Sequence, residues 1–259
     1  MALIHPSAVV DPGAQLANGV EIGPLSSIGP QVVLAEGVKI GPHAAIMGRT
    51  FIGARSEVHP FVCLGGPPQV AGFRGESTRL EIGADNVIRE HVTIHLGTEV
   101  GGGCTRIGDH NMIMNSAHIA HDCQVGSHCV ISSFSGLAGH VTVDDYAVLG
   151  AYTGVHQHSR VGESVMAASN TKLSLDAPPF SMVAGDRARL VGVNNVGLKR
   201  RGFSRLGQDR IKRAFQILFH SKLRLSQALE TVRAEIEESP DVERLLSFLE
   251  VSERGFCRR

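Results

Sequence analysis

Residues 113–125 read Ile-Met-Asn-Ser-Ala-His-Ile-Ala-His-Asp-Cys-Gln-Val. An aliphatic residue returns at every sixth position: Ile113, Ile119, Val125. The period continues in both directions. Downstream it passes through Ile131, Leu137, Val143, Leu149, Val155 and Val161, with Ala167 and Leu173 fainter. Upstream it reaches Ile107, slips by one residue, and resumes at Val100, Ile94, Ile88 and Ile82; a further series runs from Ile4 through Ile22, Ile28, Leu34 and Ile40 to Leu64. Gly often follows directly, as at Gly23, Gly41, Gly53, Gly83, Gly108 and Gly126. A period of six suits neither a 3.6-residue helix nor an alternating strand. It suits a hexapeptide β-helix, in which each hexad makes a short strand and a corner and three hexads close a coil. Residues 18 apart then stack about 4.8 Å apart.

The composition agrees with a narrow aliphatic prism. Hydrophobic residues make up 42% of the 259, aromatics only 5%, and Trp is absent. Formal net charge is zero, so bulk charge points to neither nucleic acid nor membrane. Five cysteines without a CxxC pair and an N-terminus MALIHPSAVV without a signal pattern predict a reducing, cytoplasmic setting. No apolar run approaches the length that a membrane-spanning helix needs, so no span is expected.

Two excursions interrupt the rhythm. Residues 65–79, GGPPQVAGFRGESTR, carry too many turn residues for a strand. The interval from Leu64 to Ile82 equals three hexads, or one coil, so the phase is expected to survive with a loop bulging out. Gln69, Arg74 and Glu76 favour a functional loop over a tolerated insertion. A smaller loop is expected at residues 100–104. Pro178-Pro179 is expected to end strand structure. From about Ser204 the spacing turns helical: Ile211, Ala214, Phe215, Leu218, Phe219, then Leu225, Ala228, Leu229, Val232, Ile236, then Val242, Leu245, Leu246, Leu249. The expectation is a mainly β chain: residues 1–185 a β-helix, and residues 186–259 a C-terminal α-helical domain of three helices that caps it. Lys199, Arg200, Arg201, Arg205, Arg210, Lys212 and Arg213 crowd its start. Such a cluster is either a solvated face or a seat for phosphate or an acidic carrier protein.

The chemistry-bearing residues are the histidines of the middle coils. His118 and His121 are expected to point outward from a prism lined by Ile113, Ile119 and Val125. The 18-residue coil stacks His121, Gly139-His140 and Gln157-His158 into one column, beside His156. A neutral imidazole is the usual general base near neutral pH. Asp122 adjoins His121 and is a possible orienter, although neighbours in a strand face opposite ways. Gly139 offers an unobstructed N–H to a developing oxyanion. Base plus amide donor suits acyl transfer to a hydroxyl or an amine. Two other readings compete. Zinc carbonic anhydrases built on trimeric β-helices share the hexads, but His118-x2-His121 and His156-x-His158 depart from their His-x4-His spacing. A purely structural solenoid leaves the His column without a role.

Eight segments carry a resemblance: IHPSAVV, STRLEIG, VTIHLGT, GGGCTRIGDHN, NSAHIAHDCQVG, LAGHVTVDD, VHQ and GLKRRGFS. They resemble the UDP-N-acetylglucosamine acyltransferases of lipid A synthesis, over essentially the whole chain. The resemblance implies a left-handed parallel β-helix, a homotrimer with its site between chains, and no cofactor or metal. It implies transfer of a 3-hydroxyacyl chain from acyl carrier protein to the 3-hydroxyl of UDP-GlcNAc, the first step of lipid A synthesis. It puts the general base on His121 and the oxyanion amide on Gly139. Substrate contacts fall on Gln69, His118, His140, His156, Gln157, Asn194, Arg200 and Arg201, and the acyl-length positions on Ser169 and Met166. This chain departs from the family's pattern at Val70, Gly72 and Val196, where the family has charged residues. These departures keep a 3-amino UDP-sugar as the alternative acceptor.

Overall fold

The computed structural model describes residues 1–258. Residues 3–184 wind into a left-handed parallel β-helix of three flat faces, with 10, 9 and 8 strands. Left-handed crossovers between parallel strands are rare. Face 1 starts at Leu3–Ile4, face 2 at Val9–Val10 and face 3 at Gln15–Leu16. Most strands hold two residues, the first turned outward and the second inward. His118–Ile119 shows the rule: His118 is half-buried, whereas Ile119 has no exposed surface. Ile113, Ile119, Val125 and their equivalents fill the prism as stacked aliphatic columns. Branched aliphatics fit because their stiff side chains stack from coil to coil without leaving voids. The N-terminal end is open: Ile4 and Leu3 stay exposed.

Regular coils pair residues three hexads apart, such as Ile119 with Leu137. The two excursions alter that count. Ile52 pairs with Ile82 and Leu64 with Ile94, five hexads on, so the first excursion adds two hexads. Leu64 and Ile82 therefore lie on successive faces, correcting the expectation that they bound one coil. The phase survives because the surplus is a whole number of hexads. Ile94 pairs with Ile119, four hexads and one residue on, so the second excursion adds seven and shifts the phase by one. Val100 lies in that loop and is fully exposed; it is not an inward position. Both excursions leave the helix at the corner between faces 2 and 3, the corner that carries His121.

The helix runs one strand further than expected. Pro178-Pro179 forms a corner, and Ser181–Ala184 pairs parallel with Met166–Ala167 on face 1. Proline without an N–H is tolerated there because the corner needs no ladder bond. Arg189–Val193 then pairs antiparallel with Ser181–Ala184, a hairpin that straddles residue 185. Four helices follow among the described residues, one more than expected: α1 (Asn195–Arg200), α2 (Arg205–His220), α3 (Leu225–Glu235) and α4 (Pro240–Glu250). α1 is under two turns, too short to show an apolar stripe, and Asn194 caps it by accepting from the Gly197 N–H at 3.0 Å. α2 starts at Ser204, whose hydroxyl accepts from the Gly207 N–H. Pro240 opens α4, as its fixed φ favours. The stripes Ile211, Ala214, Phe215, Leu218 and Val242, Leu245, Leu246, Leu249 are buried. The chain end returns to the β-helix, where Cys257 N–H donates to Asp176 O at 2.8 Å.

Candidate active site

The corner between faces 2 and 3 is built from pairs of turn residues: His121-Asp122, Gly139-His140 and Gln157-His158. The second member of each pair has left-handed backbone, with φ of 61° at Asp122, 62° at His140 and 61° at His158. Asp and His tolerate that region better than most side chains. This geometry answers the alternation objection. His121 and Asp122 sit on a corner, not within a strand, so both side chains lie on the same side. His121 Nδ1 stands 2.8 Å from Asp122 Oδ2. The Asp122 side chain has no exposed surface, and that of His121 is 15% exposed. The ring of His140 meets His121 edge-on at 5.0 Å and stacks on His158 at 4.4 Å. The expected column is thus present in space.

With Nδ1–H donated to Asp122, the free nitrogen of His121 is Nε2, the tautomer a general base requires. Gly139 lies under that ring: a Cβ there would stand 2.5 Å from His121 Cε1 and 2.6 Å from Nε2. Only glycine lets the imidazole sit so close. The Gly139 N–H meets no carbonyl among the described residues. His140 Nε2 is 3.8 Å from Asp122 Oδ2. Burial holds the His140 imidazole below its ordinary pKa, against the pull of Asp122. His118 is likewise held low, by burial and then by His95. Both stay uncharged at neutral pH. Ring nitrogens of His121 and His140 and a carboxylate oxygen of Asp122 all lie within 4.8 Å of one another, through the Nδ1···Oδ2 hydrogen bond of the first pair and the edge-on contact of the two rings.

His118 does not stand free as an outward residue would: its Nδ1 is 2.8 Å from Thr93 Oγ1, and its ring meets His95 edge-on. The hexad spacing does not single out His95. It lies within reach because face 2 pairs Thr93 with His118 across the coil enlarged by the second excursion, which a regular count misses. His95 Nδ1 is also 2.7 Å from Pro67 O, where the first excursion leaves the helix. Gln69 lies in that excursion and is exposed. Beyond His118, face 2 carries Gly136 and Gly154 in successive coils, with open space where a Cβ would stand. They floor a cavity of about 820 Å³ that runs from His118 past His156 to Lys172, Arg187 and Arg254. His156 borders it, 3.2 Å from Arg254 Nη2, and Gln157 is exposed beside it.

The tail residues divide. Arg201 Nη1 donates to Glu163 Oε1 at 2.6 Å and to Ser164 Oγ, and its guanidinium lies 3.7 Å over the Tyr146 ring. Asn194 Nδ2 donates to Ser164 O at 2.9 Å while its oxygen caps α1. Both therefore dock the tail onto the β-helix. Arg200 is exposed and has no ion pair among the described residues. In the basic cluster, Arg210, Lys212 and Arg213 pair with Glu237, Asp209 and Glu235. Ser169 is exposed at the corner between faces 1 and 2, and Met166 stands outward on face 1.

Comparison with known proteins follows the same outline. Residues 176–257 match the family profile described as UDP-N-acetylglucosamine O-acyltransferase, domain 2, and residues 104–139 that of the bacterial transferase hexapeptide. An acyl-[acyl-carrier-protein]–UDP-N-acetylglucosamine O-acyltransferase of Myxococcus xanthus is 48% identical over 258 residues, covering 100% of both chains. Among solved structures, a UDP-N-acetylglucosamine acyltransferase from Bacteroides fragilis aligns with a TM-score of 0.96 at 37% identity, covering 99% of this chain and 100% of that one. Another from Campylobacter jejuni aligns at 0.94 and 36%, covering 99% of each. Fold, His column and tail thus agree with one assignment, and the chain belongs to the UDP-N-acetylglucosamine O-acyltransferase family.

Proposed function

We propose that this protein transfers a 3-hydroxyacyl chain from acyl carrier protein to the 3-hydroxyl of UDP-GlcNAc, the opening reaction of lipid A synthesis. The observation that carries the reading is the buried Asp122 carboxylate 2.8 Å from His121 Nδ1, with Gly139 beneath the ring. His121 Nε2 takes the proton of the attacking sugar hydroxyl. The oxygen adds to the thioester carbonyl, and the Gly139 N–H donates to the oxyanion that forms. The carrier thiolate leaves and takes the proton from His121 Nε2, which restores the base. No metal or cofactor enters these steps.

His118, His140, His156, Gln157 and Gln69 line the approach and contact the substrates. Arg200 takes the diphosphate, while Asn194 and Arg201 hold α1 in place and present their remaining donors. The Gly136–Gly154 floor takes the acyl chain, and Ser169 with Met166 limits its length across an interface between chains of a homotrimer. Residues 1–185 form the catalytic domain and residues 186–259 the tail domain. No described helix is long and apolar enough to cross a membrane, and we place the reaction in the cytoplasm.

A 3-amino UDP-sugar remains the second reading, because Val70, Gly72 and Val196 supply no polar side chains. Val196 is exposed on α1 beside Arg200. The test is competition between UDP-GlcNAc and its 3-amino analogue at equal concentration. We expect the ester to dominate; a kcat/KM ratio above about tenfold for the amine, some 1.4 kcal/mol, would replace the acceptor.

A further inference from the structure

The seven-residue excursion lies one coil before His121 at the same corner, and it closes over the Asp122 carboxylate. We propose that Thr98, in this loop, is a positioning residue for acyl transfer: it fixes the Asp122 carboxylate in the one orientation that pins His121 Nδ1–H. This inference rests on the reading of His121 as the general base.

Three donors meet the carboxylate. The Thr98 N–H donates to Oδ1 at 2.8 Å, the Thr98 hydroxyl donates to Oδ2 at 2.6 Å, and His121 Nδ1 stands 2.8 Å from Oδ2. The only charged or titratable side chains within ion-pair reach, among the described residues, are His121 and His140. A carboxylate without exposed surface and without Lys or Arg needs such donors in place of the water it has lost. The hydroxyl proton of Thr98 has one course. Its oxygen accepts from the Gly101 N–H at 3.1 Å, which leaves the O–H to point at Asp122. The loop is shut behind it by Gly103 N–H donating to Thr98 O at 2.7 Å. Gly101 packs its bare Cα on the carboxylate, where any Cβ would overlap all three carboxyl atoms. On the far side, the Asp122 N–H donates to the buried hydroxyl oxygen of Thr105 at 2.8 Å. The carboxylate is therefore held at both oxygens by one residue and walled by another.

A carboxylate free to turn would release Nδ1–H and let the proton move to Nε2, the atom that must stay bare. The second excursion thus extends the catalytic pair by a third member drawn from the previous coil.

Thr98→Val keeps the shape and the backbone N–H and removes only the hydroxyl. We expect kcat to fall about 10- to 100-fold, as loss of one charge-assisted bond implies, with KM for both substrates unchanged. A carboxylate that no longer holds Nδ1–H also stabilises the imidazolium less, so the acid limb of the pH profile should move to lower pH. Thr98→Ser should restore both. Should Thr98→Val not fold, Thr98→Cys, with a weak donor of similar size, is read in the same way. Parental kcat and acid limb in the hydroxyl-free variant, or a loss that Ser does not restore, would overturn the proposal. His121→Ala in parallel separates the two claims: if it keeps full turnover, the base assignment has failed; if it is inactive while Thr98→Val is normal, only the role of Thr98 has.

Discussion

His121 Nδ1 and Asp122 Oδ2 stand 2.8 Å apart although the two residues are neighbours in sequence, because left-handed backbone at Asp122 turns both side chains to one side of the corner. The first prediction follows from that bond. In Asp122→Asn the Thr98 N–H keeps the amide oxygen at the Oδ1 position, so the NH2 group faces His121 Nδ1 and the Thr98 hydroxyl, whose proton must turn away. Nδ1 must then accept, and Nε2 carries the proton. We expect kcat to fall by roughly 10⁴-fold, the order seen when a base is locked in the wrong tautomer, with little change in melting temperature. Steady-state kinetics beside thermal unfolding checks it.

The basic tail gives a paired prediction. Arg200 is exposed without an ion pair among the described residues, so Arg200→Glu should raise KM for the UDP-sugar, leave the melting temperature alone and weaken with salt. Arg201 holds Glu163 and lies over Tyr146, so Arg201→Glu should lower the melting temperature as well, by setting two carboxylates side by side. Equal thermal behaviour of the two variants would contradict the division.

Acyl length is probed at Ser169. It lies about 2.7 coils beyond His121 and at another corner, roughly 13 Å along the axis. Ser169→Met should shift preference toward shorter 3-hydroxyacyl chains in a panel of carrier thioesters. An unchanged chain-length profile would remove Ser169 from the pocket.

Asp144 lies between face 3 and α4, where burial outweighs Arg160 and pushes its carboxyl from 3.8 up to about 6. The folded state then binds its proton more tightly than the unfolded one, so ionisation opposes folding. That penalty is absent below about pH 3.8 and full above about pH 6, up to about 3 kcal/mol for a shift of this size. Asp144→Asn should be more stable than the parent at pH 8, with the gap narrowing as pH falls from 6 to 4. Denaturant unfolding across that range reads it; a gap that does not depend on pH would refute the account.

The β-helix was legible because each hexad repeats one requirement, an aliphatic side chain in a narrow prism, so Ile113, Ile119 and Val125 announce it unaided. The column His121, Gly139-His140 and Gln157-His158 followed from the coil length. What escaped depended on residues outside the repeat. His95 came beside His118 only through the seven-residue surplus, which also made Val100 look like an inward position. The partners of Arg201, namely Glu163, Ser164 and Tyr146, sit on coils that no spacing links to α1. Ser181–Ala184 was hidden behind two prolines that serve as a corner.

The central claim is tested most directly by incubating the purified protein with UDP-GlcNAc and a 3-hydroxyacyl carrier thioester, and reading the product by mass spectrometry and its acylated position by NMR. The parent should form the 3-O-acyl ester, and His121→Ala, folded to the same melting temperature, should form it roughly 10²- to 10⁴-fold more slowly. A folded His121→Ala with parental turnover, or a parent that leaves UDP-GlcNAc unacylated with every carrier thioester supplied, would contradict it.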